Sequence, residues 1–482
     1  MFKFNNKKNK MLKEHSGLYT DLYELSMSQA YFYSGKEHER ACFDYFFRKA
    51  PFKGSYVIFA GLRTLYEILE NLNFSEIDCT YLNSIGFKEE FLNYLLSFKF
   101  QATIHSPEEG DLIFPFEPVV RVEGSLIETQ LIETVLLNIL NFESLIATKA
   151  SRIKFAAGDR IISEFGLRRA QGFGGLQASR AAIIGGADST SNVYSAYKLG
   201  THAAGTQAHS WIQSFPTELT AFRKFAEMYP DNCILLVDTY NTLESGVPNA
   251  ITVAKELQKK GYALKGIRLD SGNIEQLSKI ARRMLDMEGL VNVKILVSNQ
   301  MDEMLINSLV QQEAPIDIFG VGTSLATGSP DGFLDGVYKL SFINNRATLK
   351  ISENIEKISL PGIKKIYRYF DDNGFYIADG ITLEDETGKE KIYEKYKLND
   401  SIELNYENRN PLHQLTMQDG ISKLEKKTTN EIRDYSKNQF FKLPEKHKKL
   451  IGPVQYKVGY SRKLWDLQRS LILSIKHHKS II

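Results

Sequence analysis

The chain has 482 residues, 43% of them hydrophobic and 24% charged, and a formal net charge of +2. That length holds two or three domains with a sizeable core, and the composition is that of an ordinary globular protein. The near-zero charge removes any electrostatic case for nucleic acid or an anionic membrane as partner. The three cysteines, Cys42, Cys79 and Cys233, lack CxxC spacing and read as reduced thiols of a cytoplasmic protein, with neither a disulfide framework nor a zinc cage.

The opening MFKFNNKKNKMLKEH is basic and polar, without the apolar stretch of a signal peptide, and residues 1–10 read as a disordered tail. Residues 11–157 read as an N-terminal α+β domain. It begins with a helix over TDLYELSMSQAYFYSG, with Thr20 or Asp21 as N-cap, Gly35 as stop, and Tyr23, Met27 and Tyr31 on one stripe. ACFDYFFR and YVIFAG are β-rich runs, and LRTLYEILENL is an amphipathic helix. The Pro-, Gly- and Glu-punctuated text from Ile104 to Val122 predicts a small antiparallel sheet. Two helices follow, Leu126 to Ile139 and Glu143 to Ala157. The apolar text GSLIETQLIETVLLNIL is interrupted by Glu and Asn and cannot span a bilayer.

Residues 158–336 carry the strongest pattern. CILLVDTYNT, LKGIRLDSGN, VKILVSNQMD and IDIFGVGTSL are short apolar runs that end in polar or glycine residues, each followed by helical text at the spacing of βα units. RIISEFGLRRAQG and THAAGTQAHSW read as two further strands, giving six. In a parallel βα array the C-terminal strand ends share one face, so these endings converge on one site. An irregular α/β barrel fits six strands better than an eightfold one. Residues 337–482 alternate short strands with Asn/Gly turns, carry many lysines, and end in a helix near Leu464 to Ile475. They read as a C-terminal region packing on the N-terminal domain.

The strand ends name candidate residues. In IDIFGVGTSL, Gly320, Gly322 and Thr323 form a turn whose backbone can approach a phosphate, or an ordinary βα turn that needs glycine for packing. The GxGxxG fingerprint fails there, because its third glycine position is Leu325, and no GxxxxGK[ST] occurs. Arg268 and Asp270 lie two apart at a strand end and face the same side. They suit a carboxylate or phosphate and a ribose hydroxyl or hydrated Mg2+, or else pair with each other. Ser298 and Asn299 add neutral hydrogen-bonding groups. Arg168 and Arg169 suit a pyrophosphate, or are a solvated pair. His209 follows Gly205 and Thr206 and is a base, proton relay or nucleophile, or a structural histidine. His202 lies seven residues away, outside the spacing of a zinc motif. Tyr23 can stack on a flat heterocycle, although packing is the default for one tyrosine among 24.

In this order, TDLYEL, FGLRRAQG, GTQAHSW, RLDSGN, VSNQMDE and GVGTSLATG resemble the nicotinate phosphoribosyltransferase family, over roughly Leu18 to Leu340. The resemblance implies the type II phosphoribosyltransferase fold, an irregular α/β barrel with an accompanying α+β domain from N- and C-terminal segments. It also implies an ATP-coupled transfer of phosphoribose from phosphoribosyl pyrophosphate to nicotinate, with Mg2+ entering on the substrate, in a cytoplasmic homodimer. By the same resemblance His209 is the phosphorylated histidine, and Tyr23, Thr206 and Arg268 hold nicotinate. Gly320, Gly322 and Thr323 hold the sugar phosphate, and Arg168 and Arg169 serve the diphosphate; Asp270, Ser298 and Asn299 complete that substrate's site. GFGGLQ replaces the family's usual Pro-Asp after the arginines, and Asn273 stands where Asp is usual, which implies a different loop shape and different Mg2+ or hydroxyl contacts. The neighbouring alternatives are a quinolinate or nicotinamide enzyme, a barrel aldolase or isomerase, and a non-catalytic nucleotide-binding regulator. None of the strand ends supplies an aldolase lysine.

Overall fold

A computed structural model describes residues 15–352, 357–394 and 400–479, with the side chains of 477–479 left aside. The expected tail at residues 1–10 lies outside these. The chain divides into two compact units. One gathers 1–144, 333–427 and 438–482; the other comprises 145–332 with 428–437.

The first unit is built on a seven-stranded antiparallel sheet in which N- and C-terminal segments interleave. An interior strand, Arg40–Phe47, lies between Gly336–Ile343 and Val120–Ser125. All of Arg40–Phe47 except its first residue is buried, which accounts for the continuous apolar text CFDYFF where a one-sided strand would alternate. The strands expected between Ile104 and Val122 do not form a sheet of their own. Thr103–Ser106 and Val120–Ser125 join the large sheet, while Leu112–Ile113 pairs with Val57–Ile58. A second sheet, of five strands, is formed within residues 364–461.

Helix Leu22–Tyr33 starts at Asp21 and is followed by Gly35 at φ +66°. The Asp21 carboxylate does not cap its own helix; it accepts from Thr134 Oγ1 at 3.0 Å. The two helices expected after Leu126 break elsewhere. A six-residue helix, Leu126–Leu131, opens on a Ser125/Glu128 capping box, and the next runs unbroken from Glu133 to Ala157. The polar text around Asn141 and Glu143 contains no glycine or proline, so nothing there ends a helix. The C-terminal helix, Arg462–Lys479, is longer than the sequence pattern marks. Among the described residues no helix is long and apolar enough to cross a membrane.

Two buried cations in this unit are paired with carboxylates. Arg368 forks onto Asp379 (Nη2 to Oδ2 2.6 Å) and donates to the Leu112 carbonyl at 2.7 Å, while the Tyr456 hydroxyl donates to Asp379 at 3.0 Å. The Lys364 ammonium, fully buried, meets Asp44 at 2.8 Å.

The second unit holds a six-stranded sheet, parallel at every pairing. The order is Ser189–Thr190, Ile161–Glu164, Ile318–Val321, Lys294–Val297, Gly266–Leu269, Ile234–Leu236. This mixed α/β architecture with a parallel sheet is the expected fold class and is consistent with an irregular barrel. One strand differs. THAAGTQAHSW contributes only a parallel bridge, Thr190 to Ala203, and the sixth strand is the two-residue Ser189–Thr190. Alanine and glycine give THAAGTQ little to pack on a sheet face, and a two-residue strand has no readable alternation.

His413 donates from Nε2 to the Pro118 carbonyl (2.7 Å); burial, reinforced by the nearby Arg121 guanidinium, pushes its pKa down to about 3 from 6.5. The folded state thus favours the neutral ring. That contribution is complete above pH 6.5 and is lost as pH falls towards 3. His413→Gln keeps a donor and removes the titration. Its unfolding midpoint, followed by circular dichroism, should depend less steeply on pH between 6.5 and 4 than the parent's.

Candidate active site

Parallel register builds the site. Leu236, Arg268, Leu296 and Ile318 lie side by side on adjacent strands, so the residues just beyond them emerge together. From Gly266–Leu269 come Arg268 and, one residue past the strand, Asp270. Arg268 spreads its donors over four neighbours: Ser298 Oγ (Nε, 2.9 Å), Thr206 Oγ1 (Nη1, 3.1 Å), the Gln207 carbonyl (Nη1, 3.3 Å) and Asp270 Oδ1 (Nη2, 3.1 Å). Ser298 Oγ also donates to Asp270 Oδ1.

The other oxygen of Asp270, Oδ2, lies 3.7 Å from Nε2 of His209. That histidine begins the short helix His209–Gln213, and its Nδ1 is 3.1 Å from Thr239 Oγ1. With Thr239 on one ring edge, Nε2 is the nitrogen directed towards Asp270, and the side chain keeps 41% of its surface exposed. A nucleophile needs this combination of an oriented ring and an accessible nitrogen. Thr206, His209, Arg268, Asp270 and Ser298 therefore form one connected network.

The glycine turn borders it. Cβ atoms added at Gly320 would lie 2.6 Å from the Phe165 ring and 3.3 Å from Ser298 Cβ; one at Gly322 would lie 3.0 Å from the Phe165 carbonyl. Glycine is required here by close packing, and the same bareness leaves the backbone approachable. Thr323, exposed, opens the five-residue helix Thr323–Thr327. Phe165 also lies beneath Arg268, 5.8 Å from its guanidinium carbon to the ring centroid.

Arg168 and Arg169 lie on a single 3-10 turn, Leu167–Arg169, and both are exposed. The chain has already left the strand, so strand alternation does not separate them; among the described residues neither has a side-chain partner. Asn299 is exposed, with its backbone at φ +76°, a conformation asparagine tolerates. Asn273 is committed elsewhere: its side chain caps helix Ile274–Met287 by accepting from the Gln276 amide. Tyr23 belongs to the other unit. There its ring is 46% exposed, and partial burial followed by the charges of Glu133 and Glu24 raises its phenol pKa.

Asp238, Thr239 and Phe165 gained no role from sequence. Asp238 Oδ2 accepts from the Asp270 amide and from Ser271 Oγ, both at 2.7 Å, while its buried Oδ1 has no hydrogen-bond partner. The polar ending of CILLVDTYNT was the available signal. Among the described residues no three His, Cys, Asp or Glu side chains are grouped to hold a metal ion. Mg2+ bound with a pyrophosphate needs only one or two carboxylates, and Asp270 with the open Oδ1 of Asp238 fits that requirement.

Three family models cover most of the chain: the nicotinate phosphoribosyltransferase N-terminal domain over residues 18–141, the nicotinate phosphoribosyltransferase family over 161–359, and the C-terminal domain over 363–468. The chain belongs to the nicotinate phosphoribosyltransferase family. A nicotinate phosphoribosyltransferase of Bacillus subtilis is 40% identical over 471 residues, covering 95% of this chain and 96% of its own. The crystal structure of human nicotinic acid phosphoribosyltransferase matches with a TM-score of 0.85 at 30% identity, over 94% of this chain and 99% of that one. A nicotinate-nucleotide pyrophosphorylase from Pyrococcus furiosus matches at 0.70 and 25%, over 92% and 99%.

The packing at Gly320 is directly testable. Gly320→Ala forces a methyl against the Phe165 ring and should cost about 1–3 kcal/mol of stability, as overpacking does. A thermal unfolding midpoint equal to the parent's would show that the ring yields freely.

Proposed function

We propose that this protein transfers phosphoribose from phosphoribosyl pyrophosphate to nicotinate, giving nicotinate mononucleotide and pyrophosphate, the entry of nicotinate into NAD salvage. The transfer is coupled to ATP hydrolysis through phosphorylated His209, and the chemistry sits in residues 158–336. The observation that carries this reading is the network in which Asp270 joins Arg268 to His209.

Arg268 is the cation at the network's centre, and it suits the single carboxylate of nicotinate. A quinolinate site needs positive charge for a second carboxylate, and among the described residues no second cation hydrogen-bonds into this network. Phe165, against that guanidinium, offers a face for the pyridine ring, with Thr206 as a hydroxyl beside the carboxylate. Gly320, Gly322 and Thr323 take the sugar phosphate; Arg168 and Arg169 take the diphosphate; Ser298, Asn299 and Asp270 face the ribose. Asp238 and Asp270 would hold Mg2+, whose chemistry is to neutralise charge on the departing pyrophosphate.

In the transfer step the nicotinate nitrogen forms a bond to ribose C1 as the bond from C1 to the pyrophosphate oxygen breaks. Positive charge grows on the ribose, and Asp270 is an anion of the network suited to stabilise it, so positioning and electrostatics carry the acceleration. In the coupling step His209 Nε2 forms a bond to the γ-phosphorus of ATP, and ADP leaves. Hydrolysis of the phosphohistidine then draws the synthesis forward. Three cysteines, all free and buried, support a reducing, cytoplasmic compartment, and the family resemblance supports a homodimer.

Two substitutions test these assignments. His209→Ala should abolish stimulation by ATP while leaving the circular dichroism spectrum unchanged; a normal response to ATP would remove the phosphohistidine. Arg268→Ala deletes a charge-assisted pair worth roughly 2–3 kcal/mol and should raise the nicotinate KM by about 100-fold. An equal rise in the phosphoribosyl pyrophosphate KM would mean that the arginine does not serve the pyridine.

A further inference from the structure

Beneath the arginine turn lies a carboxylate that the reaction scheme leaves unused. Glu164, the last residue of strand Ile161–Glu164, is 1% exposed, and among the described residues no Lys, Arg or His pairs with it. Its charge is met only by neutral donors. Oε1 accepts from the Gly166 amide; Oε2 accepts from Thr190 Oγ1 at 2.6 Å and from Ser179 Oγ at 3.0 Å. Burying an anion on neutral partners is costly, so its retention calls for a reason beyond packing.

The donors come from separate parts of the site. Gly166 begins the turn that presents Arg168 and Arg169, and it is pressed against the glycine turn: a Cβ there would lie 2.2 Å from Ala326 Cβ and 2.9 Å from the Gly322 carbonyl. Ser179 lies on helix Gly174–Ile184, directly after the GFGG departure. Thr190 donates its amide to the His202 carbonyl (3.1 Å) and accepts from the Ala204 amide (2.9 Å), which fixes the segment leading into Thr206 and His209. Asn192 braces the same cluster, its side chain donating to Ser179 Oγ at 3.1 Å and its amide to Thr190 Oγ1 at 3.0 Å.

We propose that Glu164 is a positioning residue whose hydrogen bonds lock the Arg168–Arg169 turn and the His202–Thr206 segment in one relation, so that the pyrophosphate end and the histidine end of the site move as one body. This rests on the reading of Arg168 and Arg169 as diphosphate ligands. Glu164→Leu removes all three acceptor contacts. Glu164→Gln keeps them, because the Ser179 and Thr190 hydroxyls can turn to accept from the amide.

The test measures KM for phosphoribosyl pyrophosphate and for nicotinate, with circular dichroism as a check on folding. Glu164→Leu should raise the phosphoribosyl pyrophosphate KM by at least about 10-fold, the scale of a small misplacement in a preorganised site, with a smaller change for nicotinate. Glu164→Gln should restore it to near the parent value. On an Arg168→Ala/Arg169→Ala background, Glu164→Leu should have little further effect on that KM. A folded Glu164→Leu with both KM values unchanged would overturn the proposal, as would Glu164→Gln as impaired as Leu, or an undiminished effect without the arginines. Should Glu164→Leu not fold, Thr190→Val, which removes one donor, must show the same selective rise or the proposal fails. If the double arginine variant alone leaves that KM unchanged, the diphosphate reading fails at its root and takes the proposal with it; a normal arginine effect beside a silent Glu164 sinks only the proposal.

Discussion

The active-site unit depends on parallel register. Leu236, Arg268, Leu296 and Ile318 are neighbours across four strands, so Asp238, Asp270, Ser298 and Gly320, each two residues further on, emerge at one level. Strand side chains repeat every two residues, and a slip of one position at Gly266–Leu269 would put Leu269 and Ser271 where Arg268 and Asp270 stand. Apolar strand interiors forbid that slip, since Ile267 and Leu269 are fully buried on the opposite face. The hydrophobic core thus sets the address of each polar group at the rim, although no core residue takes part in the chemistry.

Within that frame Asp270 has two commitments. Oδ1 serves Arg268 and Ser298, and Oδ2 faces His209. A carboxylate held between a guanidinium and an imidazole couples Arg268 to His209 through a single side chain. Placing a negative phosphoryl group on Nε2 would load the Oδ2 side of Asp270 and bear on its attraction for Arg268. A preorganised site transmits such a change because its members share partners, whereas independent ion pairs in water would be screened.

Much of this was legible in sequence because βα units advertise themselves. Four apolar runs with polar endings named Arg268, Asp270, Ser298 and Gly320 before any geometry, and all four lie at one rim with Thr206 and His209. What stayed hidden was what a linear text does not encode. Ser189–Thr190 is too short to alternate, and the apparent strand in THAAGTQAHSW is a single bridge followed by coil. Asp238 and Thr239 looked like any polar strand ending until register placed them beside Asp270 and His209. Asn273, which stands where the family usually has Asp, caps a helix, a local role that asparagine fills as well as aspartate does. Phe165 stood out from no other apolar residue, because the guanidinium it meets is over a hundred positions away.

Buried charge is met in two ways in this chain. Some of it is answered by opposite charge: Arg368 by Asp379, Lys364 by Asp44, and in the second unit Glu303 by both Lys149 and Arg152. Some of it is answered only by neutral donors, as Glu24 is by Thr20 and Thr134. Glu164 is answered by an amide and two hydroxyls, and Asp238 by one amide and one hydroxyl, with an oxygen left over. A cation added at either place would relieve the local cost. Two such anions, Glu164 and Asp238, stand at the rim where parallel register gathers the polar strand ends, which is where an unpaired charge can be put to use.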